Sequence, residues 1–160
     1  MTETKFLDKL IKDKKLQLVN PSEEIADSYI KKSESNLISA KILLENNKLE
    51  ESVSLAYYSM YHLLTALLFR TGIKCENHTA TILLLKTLFG TDNSEILLAK
   101  KERIDKQYYT NFHIIKKDVV ETIEKAENFN KNLFDFISKL TGQEIEDIRK
   151  ELDHLIKSGR

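Results

Sequence analysis

The side chains of this 160-residue chain that could do chemistry gather in two stretches. Residues 100 to 117 hold six basic side chains (Lys100, Lys101, Arg103, Lys106, Lys116, Lys117) against two acidic ones (Glu102, Asp105), a local net charge of +4 with Tyr108 and Tyr109 between them. Cations interleaved with aromatic rings suit RNA, because cations meet phosphates while rings stack on bases. The plainer alternative is a solvated helix face on which Arg103 pairs with Glu102 or Asp105. Tyr108 and Tyr109 would then bury their rings and expose their hydroxyls.

The second stretch holds His62, Cys75 and His78. Cys75 and His78 have two residues between them, which is half a zinc site with no second half, so no metal and no cofactor is expected. His62, inside an apolar segment, reads as a core or interface histidine. His78, near a helix start, reads as a residue that caps or packs, with a neutral imidazole beside a groove as the alternative. His154 lies in a charged final segment and carries no expected role.

The elements that must position these groups are helices. With 41% hydrophobic and 31% charged residues, four glycines and one proline, the chain is too apolar for disorder and too poor in turn residues for an all-β fold. Basic and acidic residues balance at 25 each, so no global field draws the protein onto a polyanion; any such site is local. A lone cysteine and an N-terminus without an apolar leader point to a cytoplasmic protein. The longest apolar run, Leu55 to Phe69, is shorter than the ~20 residues a bilayer-spanning helix needs, so no membrane partner is expected.

Residues 4–18 read as a short amphipathic helix. Asn20 and Pro21 read as an N-cap and first-turn proline opening a long helix, whose stripe Ala26, Ile30, Ser33, Leu37, Ala40 and Leu44 keeps one face on a partner. A central helix from about Glu50 to Thr71 has its seam at Val53, Ala56, Tyr57, Met60, Leu63, Leu64 and Leu67, with Tyr58, Tyr61, Leu68 and Phe69 on a second edge. Its tyrosines read as core and dimer-interface residues. Gly72 ends it with a positive φ. After a turn, IKCEN, Asn77 caps an apolar helix from His78 to Phe89, and Ser94 opens another. A helix from near Asp118 carries Val119, Ile123, Ala126, Leu133, Ile137 and Leu140 and is stopped by Gly142. A last helix spans Gln143 to Lys157. The expectation is one domain, 1–160, with a core of about 21–141 and peripheral helices at 1–20 and 142–160.

The stretch Ala56 to His62, AYYSMYH, then Leu67 to Gly72 with Ile73, then His78 opening an apolar helix, resembles the bacterial and archaeal branch of the HEPN family. The preceding KKSESNLISAKILLENNKLEESVS is similar to that family's first long helix, and the likeness covers roughly residues 25 to 140. The resemblance implies an all-α, up-and-down bundle of four to five helices, here with extra N- and C-terminal helices. It implies a homodimer with motif residues of two subunits facing a shared groove. It further implies a nucleotidyltransferase-like antitoxin as partner, RNA or a nucleotide as ligand, and a toxin–antitoxin or defence role.

Active members are metal-independent ribonucleases that carry an arginine followed, after four to six residues, by a histidine. The arginine holds phosphate and the histidine moves protons. Arg103 fits the first position, but Tyr108 stands where the histidine would be. A phenol, which ordinarily ionises only near pH 10, is a poor general base at pH 7. The candidate catalytic residues are therefore Arg103 and Tyr108, with His113 as a substitute imidazole. Lys100, Lys101, Lys106, Tyr109, Lys116 and Lys117 are candidates for nucleic-acid contact. The alternative reading is a catalytically silent dimerisation or interaction module that docks the nucleotidyltransferase-like partner.

Overall fold

The computed structural model describes residues 1–108 and 114–158, with the backbone alone for 105–108. In chain order these form α1 (Glu3–Lys12), β1 (Leu16–Leu18), α2 (Glu23–Glu45), α3 (Leu49–Thr71), β2 (Ile73–Cys75), α4 (His78–Thr87), α5 (Ser94–Tyr108), α6 (Lys116–Lys139) and α7 (Gly142–Ser158). The architecture is all-α, with one very small antiparallel sheet pairing β1 with β2.

The centre is α3, which packs against α2, α4, α5, α6 and α7. Every residue of its predicted seam is buried, with Val53, Ala56, Tyr57, Leu64 and Leu67 fully so. The facing stripe of α2 is equally as predicted: Ala26, Ser33 and Ala40 are buried, and Ile30, Leu37 and Leu44 pack against the same core. Small residues on both helices bring the backbones close enough for side chains to bond carbonyls of the neighbouring helix. Ser33 Oγ donates to the Ser59 carbonyl at 2.6 Å and Ser52 Oγ donates to the Ala40 carbonyl at 2.7 Å. As α2 advances from Ser33 to Ala40, its partner on α3 retreats from Ser59 to Ser52, so the helices run antiparallel. From the other side, Asn130 Nδ2 on α6 donates to Ser59 Oγ at 3.2 Å.

The segment before α2 departs from the sequence expectation. α1 stops at Lys12, Lys14 takes a positive φ of 58°, and the chain reverses into β1. Its partner β2 occupies the segment read as a turn, with Leu16 opposite Cys75 and Leu18 opposite Ile73. Strands of three residues carry too little alternation to be recognised, and their pairing is decided by residues far away in sequence. The helix that follows is capped by Ser22, whose Oγ accepts from the Ile25 N–H at 3.1 Å, two residues later than the Asn20 cap expected.

Gly72 does close α3 in the left-handed region, at φ 72° and ψ 44°. A Cβ there would also collide with the Arg149 guanidinium and the Val19 carbonyl. Arg149 Nη1 donates to the carbonyls of Val19 (2.8 Å), Thr71 (3.1 Å) and Gly72 (2.9 Å), which fastens α7 to β1 and to the end of α3. Gly142, in contrast, opens α7 instead of stopping α6. Thr141 and Glu144 form a reciprocal capping box: Glu144 Oε2 accepts from the Thr141 N–H at 2.8 Å, and the Glu144 N–H donates to Thr141 Oγ1 at 3.2 Å. Leu152 of α7 is fully buried in the common core, as is Leu16 of β1 to within 1%.

Candidate functional site

Two residues after β2 the chain enters α4, whose N-cap Asn77 accepts the Ala80 N–H through Oδ1 at 2.9 Å, as expected. This turn fixes His78, the first residue of the helix, over the tyrosines of α3. Tyr57 Oη lies 3.1 Å from His78 Nδ1, and the Tyr61 ring stacks on the imidazole with centroids 3.9 Å apart and planes 16° from parallel. The imidazole is thus held by a hydrogen bond at one nitrogen and by a ring face. Its other nitrogen, Nε2, has no hydrogen-bond partner among the described residues and is not a buried orphan.

Tyr57, together with its neighbour Tyr58, also holds Arg103. Its guanidinium carbon stands 4.9 Å from the Tyr58 ring centroid and 5.6 Å from that of Tyr57, within the range of cation–π attraction. Of the two expected ion-pair partners, the Asp105 side chain lies outside the described residues. Glu102 instead accepts a hydrogen bond from Thr122 Oγ1 at 2.8 Å, and no salt bridge to Arg103 occurs among the described residues. Arg103 Nε is buried without a hydrogen-bond partner among them. One turn earlier on α5, Lys100 Nζ donates to Thr79 Oγ1 at 2.6 Å, so it leans across to the start of α4 beside His78.

Arg103, Lys100 and His78, from two helices, therefore converge around the Tyr57 and Tyr58 rings of a third. The electrostatics follow from burial and from the crowding of positive charge. Partial burial, Lys100 and Arg103 together hold the His78 imidazole below the usual histidine range, which keeps it neutral at pH 7. Burial and Arg103 lower Lys100 in the same way. Burial pushes the Tyr57 phenol up, so it stays protonated despite the nearby arginine. Two crowded cations and a neutral imidazole favour an anion, whose arrival would relieve the repulsion between Lys100 and Arg103.

The remaining candidates are placed less tightly. Lys101 is exposed on α5, and Lys116 and Lys117 are exposed in the first turn of α6, where no described contact joins them to Arg103. The side chains of Lys106 and Tyr108, and the whole of Tyr109 and His113, lie outside the described residues. Arg70, at the end of α3, is paired with Glu23 of α2 at 2.7 Å and takes no part in this cluster. His62 is half-buried in a ring cluster with Tyr29, Tyr58 and Tyr61. Its Nδ1 is unpartnered, and burial, then Lys32 and His78, lowers its pKa to about 4.

From spacing alone, Tyr57, Tyr58 and Tyr61 read as core and interface only. Tyr57 is indeed core, yet its ring and hydroxyl also hold Arg103 and His78. The available signal is the position of Tyr58 and Tyr61 on the second edge of α3, away from the seam that faces α2.

An all-α bundle whose central helix carries an aromatic shelf, with an arginine from a later helix laid on it, defines the class of protein. The family described as HEPN domain matches residues 26–133, the span that contains α3, α4, α5 and the shelf. The chain belongs to the HEPN family. It is 48% identical to a UPF0332 protein of Pyrococcus horikoshii over 59 residues, which are 37% of this chain and 42% of that protein. It is 26% identical to a UPF0332 protein of Thermotoga maritima over 141 residues, 82% of this chain and 99% of that protein. The matched part of the chain therefore spans less than half of the Pyrococcus relative and nearly all of the Thermotoga one. Among the described residues no helix is long and apolar enough to cross a membrane, and no group of acidic, histidine or cysteine side chains is placed to hold a metal ion.

Proposed function

We propose that this HEPN protein binds RNA, gripping a backbone phosphate between Arg103 and Lys100 beside His78, as a toxin–antitoxin or defence component. The observation that carries the reading is the Arg103 guanidinium held 4.9 Å over Tyr58 without a carboxylate partner among the described residues. A guanidinium laid on a ring keeps its edge free for phosphate, and its planar fork suits that ligand better than a lysine would. Lys101, Lys116 and Lys117, all exposed, are available to neighbouring phosphates of a flexible strand.

The test is a titration of single-stranded RNA at two salt concentrations. Affinity is expected to fall as salt rises, and Arg103→Ala is expected to weaken binding by roughly tenfold or more, the scale of a charged hydrogen-bonded contact. Absence of binding at low salt, or an unchanged affinity in Arg103→Ala, overturns the reading.

A second reading, a dimerising module that docks a nucleotidyltransferase-like partner, draws support from apolar side chains left in solvent. Ile38 and Ile42 are 60% and 53% exposed on α2, and Phe134 on α6 is 49% exposed. Light scattering at micromolar concentration is expected to give the mass of a dimer, with Ile42→Glu shifting it toward the monomer. A monomeric mass for the unaltered protein counts against this reading.

A further inference from the structure

Resting on the RNA-binding reading, we infer that His78 is the proton-transfer group of a ribonuclease site formed with Arg103 and Lys100. The geometry that carries this is a division of labour across the Tyr57 ring. Its face holds the Arg103 guanidinium and its hydroxyl holds His78 Nδ1. Tyr61 stacked on the imidazole prevents it from turning away, and Lys100, bonded to Thr79 next to His78, closes the third side. A cation pair for the phosphate and an oriented imidazole with one nitrogen unengaged are what cleavage of RNA by its own 2′-hydroxyl requires.

The step balances without any further reagent. In the tautomer in which Nδ1–H donates to the Tyr57 oxygen, Nε2 carries the lone pair. Nε2 takes the proton of the ribose 2′-hydroxyl as that oxygen forms a bond to phosphorus. The bond from phosphorus to the 5′-oxygen of the next nucleotide breaks, its electron pair leaves on that oxygen, and a proton from water neutralises it. The products are a 2′,3′-cyclic phosphate and a 5′-hydroxyl, and loss of the imidazolium proton to solvent resets the site. Arg103 and Lys100 lie where negative charge grows on the phosphorane oxygens. Tyr57 acts as a positioning residue.

Among the described residues, the groups that face His78 are Tyr57, Tyr58, Tyr61 and the neutral His62 on α3 and Lys100 and Arg103 on α5, with Cys75 at the end of β2 close by in the chain. All the charged ones are cations, which favour the neutral ring, so the base form persists to pH values below the ordinary histidine midpoint. The rate is therefore expected to rise with pH through a single limb below about 6.5. It should be level above that limb until the cations titrate.

The experiment incubates the full chain with a single-stranded RNA oligonucleotide in EDTA and identifies the products by mass spectrometry. The same oligonucleotide with one 2′-deoxy position reports whether the neighbouring hydroxyl is the nucleophile. The expected result is a cyclic phosphate product and no cut at the deoxy position. His78→Ala is expected to lose at least about a hundredfold in rate while binding RNA within about threefold of the unaltered protein. Tyr57→Phe, which keeps the ring under Arg103, is expected to lose less rate and to displace the acidic limb. A merely structural role for that hydroxyl would leave the limb in place. Should His78→Ala fold poorly by circular dichroism, His78→Gln and the deoxy substrate carry the test.

Cleavage that continues undiminished in the folded His78 variants, or cutting at the deoxy position, overturns the inference. RNA binding without any cleavage by the unaltered protein overturns it too and leaves the binding reading standing. Failure of both binding and cleavage removes the two together.

Discussion

Helix α3 has two faces that solve opposite problems. Toward α2 it presents Ser52, Ala56 and Ser59, small residues whose hydroxyls are all spoken for: Ser52 bonds the Ala40 carbonyl, and Ser59 bonds that of Ala56 while accepting from Asn130. Toward α4 and α5 it presents Tyr57, Tyr58 and Tyr61, with His62 continuing the ring cluster to Tyr29 of α2, and there polar atoms lack partners among the described residues, including His62 Nδ1 and the Arg103 Nε beside the rings. Buried polar groups cost free energy unless satisfied, so a helix that pairs its own hydroxyls on one face, beside the unpartnered Asn130 Oδ1 of α6, and leaves ring and guanidinium nitrogens open on the other separates holding the fold from the proposed grip on a ligand.

The contrast can be broken most sharply at Ser59. Ser59→Leu forces a larger side chain into a fully buried position between α2 and α6 and removes the hydroxyl that receives Asn130. It is expected to cost about 3 kcal/mol or more in urea-unfolding experiments. RNA affinity per folded molecule should be unchanged, and a matching loss of affinity would show that the two faces are not separable.

A smaller effect comes from pH. His62 has a folded pKa of about 4 against 6.5 for the unfolded chain, so the unfolded state takes up its proton first as the solution is acidified. This contribution to stability is complete above pH 6.5 and is lost as pH falls from 6.5 toward 4. Because the ring is only half-buried and water screens part of the penalty, the loss should be on the order of 1 kcal/mol. His62→Leu is expected to flatten the profile, and an unchanged slope in that variant would mean that another group is responsible.

Smallest of all is the stability change expected for Arg103→Ala, within about 1 kcal/mol by thermal denaturation, since the guanidinium gains only a partly exposed cation–π contact. A loss of several kcal/mol would mean that the aromatic face is a structural element like the serine face, with the arginine as its keystone.

How much of this can be read from the sequence follows from the range of the interactions involved. The α2 stripe and the α3 seam are legible because burial at three- and four-residue steps repeats over several turns. Asn77 and Gly72 are legible because caps are local. The Thr141–Glu144 capping box is equally local, but a glycine between two helical patterns reads first as a stop, and at Gly142 that reading is wrong. β1 and β2 leave almost no pattern. Of the site, Arg103 is found through its family position. His78 reads first as a capping or packing residue, with a neutral imidazole beside a groove as the alternative, because its place beside Arg103 depends on how α4 and α5 lie across α3, and no spacing along the chain records that.

The Arg149 clamp sets the order in which the molecule can be completed. Its three carbonyl acceptors belong to residues 130, 78 and 77 positions earlier in the chain. Until α7 has been synthesised, the end of α3 and the β1 segment are held to each other by backbone bonds such as Val19 N–H to the Gly72 carbonyl at 2.9 Å, without the guanidinium that ties both to a third element. A growing chain on the ribosome can pair α2 with α3 early, because that hairpin is local. The clamp at the Gly72 end must await α7, far later in the chain than the elements it ties, so its closure should follow that hairpin in folding and be among the first contacts to open.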